Sequence, residues 1–320
     1  MKDINAKIGQ TIKKIRTSKG LRQKELNLKG QTNSVVSKHE NGSQKITVEN
    51  FLNYSKIFNV TVSEFIFISN GYHKEDRESL YDRFIVIHQT GTDEQLMQLH
   101  QDIECYHQEN PLDPYLEVID FYVVTLTQYR SGQLTGQEFR ENLAYQINQL
   151  WQGLQSVNEW YWVDLRVINF ILSRLPYDVI QVQVPHILAR YEDFKDHREY
   201  LDGFSAFVLN LSQIHILNLN FKEAVEVLDL IKPEWIPLLP LRSYLTYLVR
   251  RGIATKDLDE TRKAFVIMQA MGHEDYFDLF YVETLKHFPE YFVKYSEDFN
   301  NFKKKEDILN IFEDDYWILV

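Results

Sequence analysis

The sequence predicts an all-α chain in two parts, a head of five short helices followed by a longer array of helical hairpins. Three observations predict it. Glycine and proline are sparse, 12 and 8 in 320 residues, too little punctuation for a turn-rich β protein. Apolar residues recur at intervals of three and four along most of the chain, the period of one helix face. Charge is divided unevenly: residues 1–68 hold 12 Lys and Arg against 5 Asp and Glu, a balance of +7, which leaves −18 for the rest of a chain of net charge −11. Unless this is a chance surface imbalance, a basic head on an acidic body points to a polyanion partner for the head and another task for the body.

The head divides at its caps. Ile4 to Thr17 carries Ile4, Ile8, Ile12 and Ile15 on one face and Lys7, Lys13, Lys14 and Arg16 around the other, an amphipathic helix stopped by Gly20. Arg22 to Leu28 predicts a short second helix. Gly30 makes a turn, and Thr32 caps a third helix, Asn33 to Asn41, ended by Gly42. Thr47 caps a fourth, with Phe51, Leu52, Ile57 and Phe58 as its apolar residues, and Thr61 with Glu64 predicts a capping box for a last helix through Phe67.

A tight turn between the second and third of five helices is the layout of a helix-turn-helix domain, in which the third helix enters a major groove of double-stranded DNA. On that helix Val36 faces the core, whereas Asn33, Ser34, Ser37 and Lys38 face outward. Asn and Ser bond base edges, and Lys38 reaches a guanine or a phosphate. Thr32 and Gln23 stand where helix N-termini meet the DNA backbone, and Lys14 and Arg16 join them as candidate DNA-binding residues. The expected domain covers 1–69.

The polar stretch 70–77, with Gly71, reads as a linker, and 78–320 as the helical body. Helices are expected near 78–90, 93–108, 114–130, 136–152, 158–175, 178–194, 203–219, 221–231, 239–252, 258–271, 274–287 and 288–301. Breaks carry Gly91, Pro111, Pro114, Gly132, Pro176, Gly203, Pro233 and Gly252. Short loops between such helices imply an α-hairpin array. Asn220-Phe221-Lys222-Glu223-Ala224 resembles the turn into the second helix of a tetratricopeptide (TPR) unit, so the body reads as a TPR-like repeat domain. No strict 34-residue period is present.

A spacing of 41 is present instead, linking Gln128, Asn169, Asn210 and Arg251. Each falls on the first helix of an expected pair, and first helices line the concave face of such arrays. Trp162, Arg166 and Asn169 form a stripe that runs on to Ser173, outside the candidate set, Gln213 shares the Asn210 face, and Tyr244 and Tyr247 share that of Arg251. Asn amides match peptide N–H and C=O together, and Arg takes a carboxylate. These nine residues are therefore the candidate peptide-binding set. The competing reading is that they satisfy each other between layers.

Composition and motifs narrow the rest. At 44% hydrophobic and 25% charged, the chain can bury a sizeable core, which excludes global disorder. The single cysteine, Cys105, excludes a disulfide framework and a Cys-rich zinc site and fits a reducing cytoplasm. No stretch is apolar for the length a membrane span needs, and the N-terminus lacks the apolar core of a signal peptide. P-loop, GxGxxG, GxSxG and HExxH patterns are absent, so no cofactor and no enzyme activity are expected. A self-cleaving repressor would need a β-rich peptidase half, and this body reads helical. His100, Glu104 and His107 share a helix face, but a metal site would need a second cluster. The tail, Tyr316-Trp317-Ile318-Leu319-Val320, reads as a packed cap or dimer contact.

The stretch Ser34-Val35-Val36-Ser37-Lys38-His39-Glu40-Asn41-Gly42 resembles the recognition helix and following turn of Xre/Cro/C1-type repressors. Within those, Ile15-Arg16-Thr17-Ser18-Lys19-Gly20-Leu21 is similar to the Rgg/GadR/MutR regulators. His39 departs from the usual large apolar residue, and Arg22 from the usual Ser or Thr cap. Asn169 to Tyr177, ending Leu175-Pro176-Tyr177, resembles the peptide-pheromone receptors that include Rgg and PrgX. The resemblance implies a cytoplasmic, homodimeric transcription factor that reads a palindromic operator and binds a short signalling peptide in its repeat groove, a quorum-sensing regulator. The alternative is an Xre-type regulator whose body binds a protein partner or only oligomerises.

Overall fold

A computed structural model describes residues 4–27, 33–110, 112–272 and 274–288. The Gly30 turn, the Thr32 cap, the last expected helix and the aromatic tail lie outside the described residues. Every regular element among the described residues is helical. The chain divides into two compact units, Met1–Ile85 and Val86–Val320. That boundary falls within a helix and not in the 70–77 stretch.

In the first unit, α1 (Ile4–Ser18) leads to a single 3-10 turn (Gln23–Leu26), then α2 (Asn33–Glu40), α3 (Val48–Phe58) and α4 (Val62–Ser69). The second expected helix is only that turn. Arg22 brings no side-chain oxygen to cap it, and the Arg22 N–H donates instead to Glu25 at 2.7 Å. The other caps form as residue chemistry dictates. Thr47 accepts from the Asn50 N–H at 3.2 Å and Thr61 from that of Glu64 at 3.1 Å.

The head's core is Ile12, Leu26, Val36, Tyr54 and Phe58, all fully buried, with Ile15, Val60 and Phe65 around them. On α3 the inward face is Tyr54, Ser55 and Phe58. Leu52 and Ile57 flank that face and remain 43% and 37% exposed. A Cβ at Gly9 would stand 2.2 Å from the carbonyl oxygen of His39, so α1 and α2 pack backbone against backbone there.

The body follows the expected elements closely. They are α5 (Asp76–Thr90), α6 (Asp93–Glu109), α7 (Pro114–Arg130), α8 (Gly136–Gln155), α9 (Trp162–Ile171), α10 (Tyr177–Asp193), α11 (Tyr200–Leu217), α12 (Phe221–Leu228), α13 (Leu241–Thr255), α14 (Leu258–Met271) and α15 (Glu274–His287). A 3-10 turn, Leu172–Arg174, closes α9. One expected break stands at Pro114 and two others are not breaks. Pro114 is the first residue of α7, where its missing N–H costs nothing, and Asp113 caps it. Gly203 and Gly252 lie inside α11 and α13. A Cβ at Gly252 would stand 2.2 Å from the Thr261 hydroxyl oxygen, and one at Gly203 would stand 2.7 Å from the Trp162 ring. These glycines admit a neighbour rather than end a helix.

Neighbours in sequence pack as hairpins, α6 on α7, α7 on α8, α11 on α12 and α13 on α14. Alternate helices also touch: α11 packs on both α9 and α13, and α13 on α15. No described helix is long and apolar enough to cross a membrane.

Candidate nucleic-acid interface and ligand stripe

Helix α2 has two faces of different chemistry. Val36, His39 and Glu40 point inward, fully or almost fully buried. Asn33, Ser34 and Lys38 are exposed and Ser37 is half-buried. The Asn33 side-chain oxygen Oδ1 accepts from the Asn27 side-chain amide at 2.6 Å, which leaves the side-chain NH2 of Asn33 for a base edge. Lys14 is exposed, its ammonium 4.5 Å from the centroid of Tyr72.

Two expected DNA contacts have other partners. Arg16 grips Glu40 with two nitrogens, Nη2 at 3.1 Å from Oε2 and Nε on Oε1, and donates Nη1 to the Leu21 carbonyl at 2.8 Å. Gln23 donates to the same Glu40 carboxylate at 2.8 Å. Glu40 is 2% exposed, and a buried carboxylate must be paired. Arg16 and Gln23 therefore fasten α1 and the 3-10 turn to α2, and they set the pose of α2 from behind. Glu40 occupies the same helix face as Val36, four residues on, and that position in the sequence is the signal that it is buried.

His39, which departs from the family pattern, is a core residue. Its Nδ1 is 2.8 Å from the Tyr54 hydroxyl. Burial lowers the His39 pKa from its ordinary value. Burial, aided by the Glu40 charge, pushes the Tyr54 hydroxyl up to about 12. Both side chains are thus neutral, as an apolar neighbourhood requires.

The body's candidate stripe splits. Asn210 is 1% exposed and donates to the Asn169 oxygen at 3.0 Å. One residue along the helix, Arg250 donates to the Leu209 carbonyl at 2.8 Å, again across 41 positions. The spacing thus marks equivalent positions that meet where α9, α11 and α13 touch, and for Asn169 and Asn210 it is the layer-to-layer reading that the structure favours. Gln128 is exposed on α7. Arg251 reaches Asp229 at 2.7 Å and lies 5.7 Å from the Tyr247 centroid. Tyr247 is buried, which raises its hydroxyl pKa. Trp162 donates to Glu199 at 3.1 Å and packs on His197. Arg166, Asn169 and Tyr244 are half-buried. Gln213 is 3% exposed, and its side-chain oxygen has no hydrogen-bond partner among the described residues.

The set-aside metal candidates have protein partners. His100 Nδ1 is 2.8 Å from Asp120, and no group of His, Cys, Asp and Glu that could hold a metal occurs among the described residues. Cys105 is free and exposed.

Residues 12–65 match the helix-turn-helix family HTH_3. No curated protein matches the chain. Among solved structures, a candidate transcriptional regulator from Listeria monocytogenes EGD-e is similar with TM-score 0.70 at 18% identity, covering 91% of this chain and 99% of that one. The SHP pheromone receptor Rgg2 of Streptococcus dysgalactiae gives 0.59 at 15%, over 87% and 99%. PlcR of Bacillus thuringiensis, solved in complex with the peptide PapR7 and DNA, gives 0.55 at 14%, over 86% and 99%. At these identities the likeness is one of fold. Residues 12–65 thus form a helix-turn-helix domain, and the chain as a whole shares the fold of these solved structures.

Proposed function

We propose that this chain is a cytoplasmic, sequence-specific transcriptional regulator that reads a palindromic operator as a homodimer and senses a short signalling peptide with its helical body. The observation that carries the reading is the pairing, in one chain, of a basic head whose α2 exposes Asn33, Ser34 and Lys38 with a body of the pheromone-receptor fold, matched over nearly the whole length of Rgg2 and PlcR. Two half-sites about one helical turn apart need two heads, hence the dimer.

The peptide's place is the stripe from Trp162 and Arg166 to Gln213. An extended peptide brings unpaired N–H groups that must be matched once water leaves. The unpartnered Gln213 oxygen is an acceptor of the kind such an N–H needs, and Arg166 supplies charge for a carboxylate. The test is mass spectrometry of peptides carried by the protein purified from its own host, followed by calorimetric titration of the peptide found. Arg166→Ala is expected to weaken binding roughly 10- to 100-fold, the worth of one charge-assisted bond, with an unchanged melting temperature. A melting temperature that falls while affinity holds would instead assign the stripe to holding the layers together, with the body serving a protein partner or oligomerisation.

A further inference from the structure

A cavity of about 500 Å³ opens in the body at the Ser173 end of the stripe, where α5, the end of α7, the start of α8, the turn after α9, the start of α10 and the end of α11 converge. None of the nine candidate peptide residues lines it. Leu126, Phe139, Leu143 and Ile180 make its walls apolar, and Ser173 and Arg174 form one polar end. Its size lies in the range of ordinary small-ligand pockets, roughly 300–1,000 Å³.

Arg174, half-buried, has an environment unlike that of the fully buried Arg250. Arg250 is neutralised by Glu283 at 3.1 Å. Arg174 pairs with no carboxylate among the described residues, and the cavity lining contains no Asp or Glu. Its guanidinium lies 5.4 Å from the Tyr122 ring centroid and 5.6 Å from that of Phe170. It donates one long bond, 3.4 Å, to the Phe170 carbonyl. Burial lowers its pKa, with Tyr122 opposing, yet a guanidinium does not give up its proton in a protein. The charge is therefore present and short of a counterion. Next to it, the Ser173 hydroxyl is buried, on a residue 6% exposed, and has no hydrogen-bond partner among the described residues. The cavity thus offers a planar cationic fork and a hydroxyl donor without an acceptor beside apolar walls, with Arg140, His88 and Asn218 also in its lining.

We infer that this cavity binds a small apolar carboxylate, its charged end on Arg174 and Ser173 and its apolar part against Leu126, Phe139, Leu143 and Ile180. A fork of parallel N–H groups matches the two oxygens of a carboxylate. A bare inorganic anion would leave the apolar walls uncovered. The same chemistry is carried by a free aliphatic acid and by the C-terminal end of a short apolar peptide. The site adjoins the stripe through Ser173 but contains none of the nine candidate peptide residues, so variants at Arg174 and at Arg166 test the two readings separately.

The experiment is calorimetric titration of the full chain with octanoate, octanamide, trileucine and trileucine amide. At least one acid is expected to bind roughly tenfold or more tightly than its own amide. A preference seen with octanoate identifies a free acid as the source, and one confined to trileucine identifies a peptide end. Either supports the site. The preference should vanish in Arg174→Gln, return in part in Arg174→Lys, and shrink in Ser173→Ala. Thermal melting checks that each variant folds, and the Lys and Ala variants carry the test if the Gln variant does not. Acids that do not bind, acids that bind no better than their amides, or a preference that survives the loss of the Arg174 charge would overturn the inference.

Discussion

In the head, a buried carboxylate is satisfied by residues scattered along the chain: Glu40 takes donors from Arg16, 24 positions before it, and from Gln23, 17 before it. In the body, buried polar groups meet their counterparts in the next repeat, Asn210 on Asn169 and Arg250 on Leu209, both across 41 positions. The difference follows from architecture. Helix α2 has one packed side and one open side, so helical period alone separates what holds the fold from what faces a partner. Helix α11 is packed by both α9 and α13, so a polar stripe along it can face another helix as readily as a groove. Position on the helix decides exposure in the first case, even for the polar His39 and Glu40, and does not in the second.

The largest effect separates fastening from reading in the head. Arg16→Ala strands a carboxylate whose side chain is 1% exposed, and breaking such a pair costs about 3–5 kcal/mol. Chemical denaturation should show that loss in the head's transition, with Gln23→Ala costing less because Arg16 remains. If Arg16→Ala instead leaves stability unchanged and lowers operator affinity alone, Arg16 is a DNA contact and the comparison breaks.

Next in size is the open face of α2. Asn33→Ala should cost about 1–3 kcal/mol at one base position and relax the preference there. Lys14→Ala should weaken all sequences alike and lower the slope of log affinity against log salt by about one. Binding measured on an operator and on single-base variants over a salt series distinguishes them. A uniform loss for Asn33→Ala would remove it from base recognition.

These expectations rest on what local sequence carries. Caps, the positive-φ glycines and the apolar period locate α1, α3 and α4 and the body helices from α5 to α15 to within a few residues. Outwardness of Asn33, Ser34 and Lys38 follows from Val36 being inward. The fastening of Arg16 and Gln23 does not follow, because it depends on where Glu40 lies in three dimensions. Gly203 and Gly252 read as breaks because the reason for a small residue, Trp162 against one and Thr261 against the other, is a partner on another element. The 41-residue spacing is legible, yet whether equivalent residues face a groove or each other depends on helix contacts that no single face encodes. The cavity at Arg174 draws on α5, α7, α8, the turn after α9, α10 and α11, so no single stretch such as Leu175-Pro176-Tyr177 announces it.

A smaller effect sharpens the body's side of the comparison. If Asn169 and Asn210 hold layers together, a double-mutant cycle with Ala at both should return a coupling of about 0.5–1.5 kcal/mol, the net worth of one hydrogen bond. Asn210→Ala should cost more than Asn169→Ala, because Asn210 is the more deeply buried. Zero coupling in thermal melts, with additive losses of peptide affinity, would return both residues to the groove.

The smallest effect is a pH dependence on which head and body should agree in sign and differ in make-up. Burial lowers the pKa of His39 in the head and of His215 and His287 in the body. In the body that lowering is opposed, by Glu223 and Glu226 at His215 and by Glu283 at His287. At His39 burial acts unopposed. A histidine whose folded pKa lies below its unfolded one binds fewer protons when folded. Its contribution is therefore intact above the ordinary value of 6.5 and is lost as pH falls from there toward the lowered folded value. Hydrogen-exchange protection of α1 and α2 amides should fall as pH drops below 6.5, and more steeply than that of α11 and α15 amides, which carry His215 and His287. His39→Leu tests the cause. It removes the titrating ring but strands the Tyr54 hydroxyl that stood 2.8 Å away, so protection should start lower by about 1–3 kcal/mol and then stay flat over the same interval. A head in which His39→Leu keeps the native acid slope would place the titrating group elsewhere and leave His39 as packing alone.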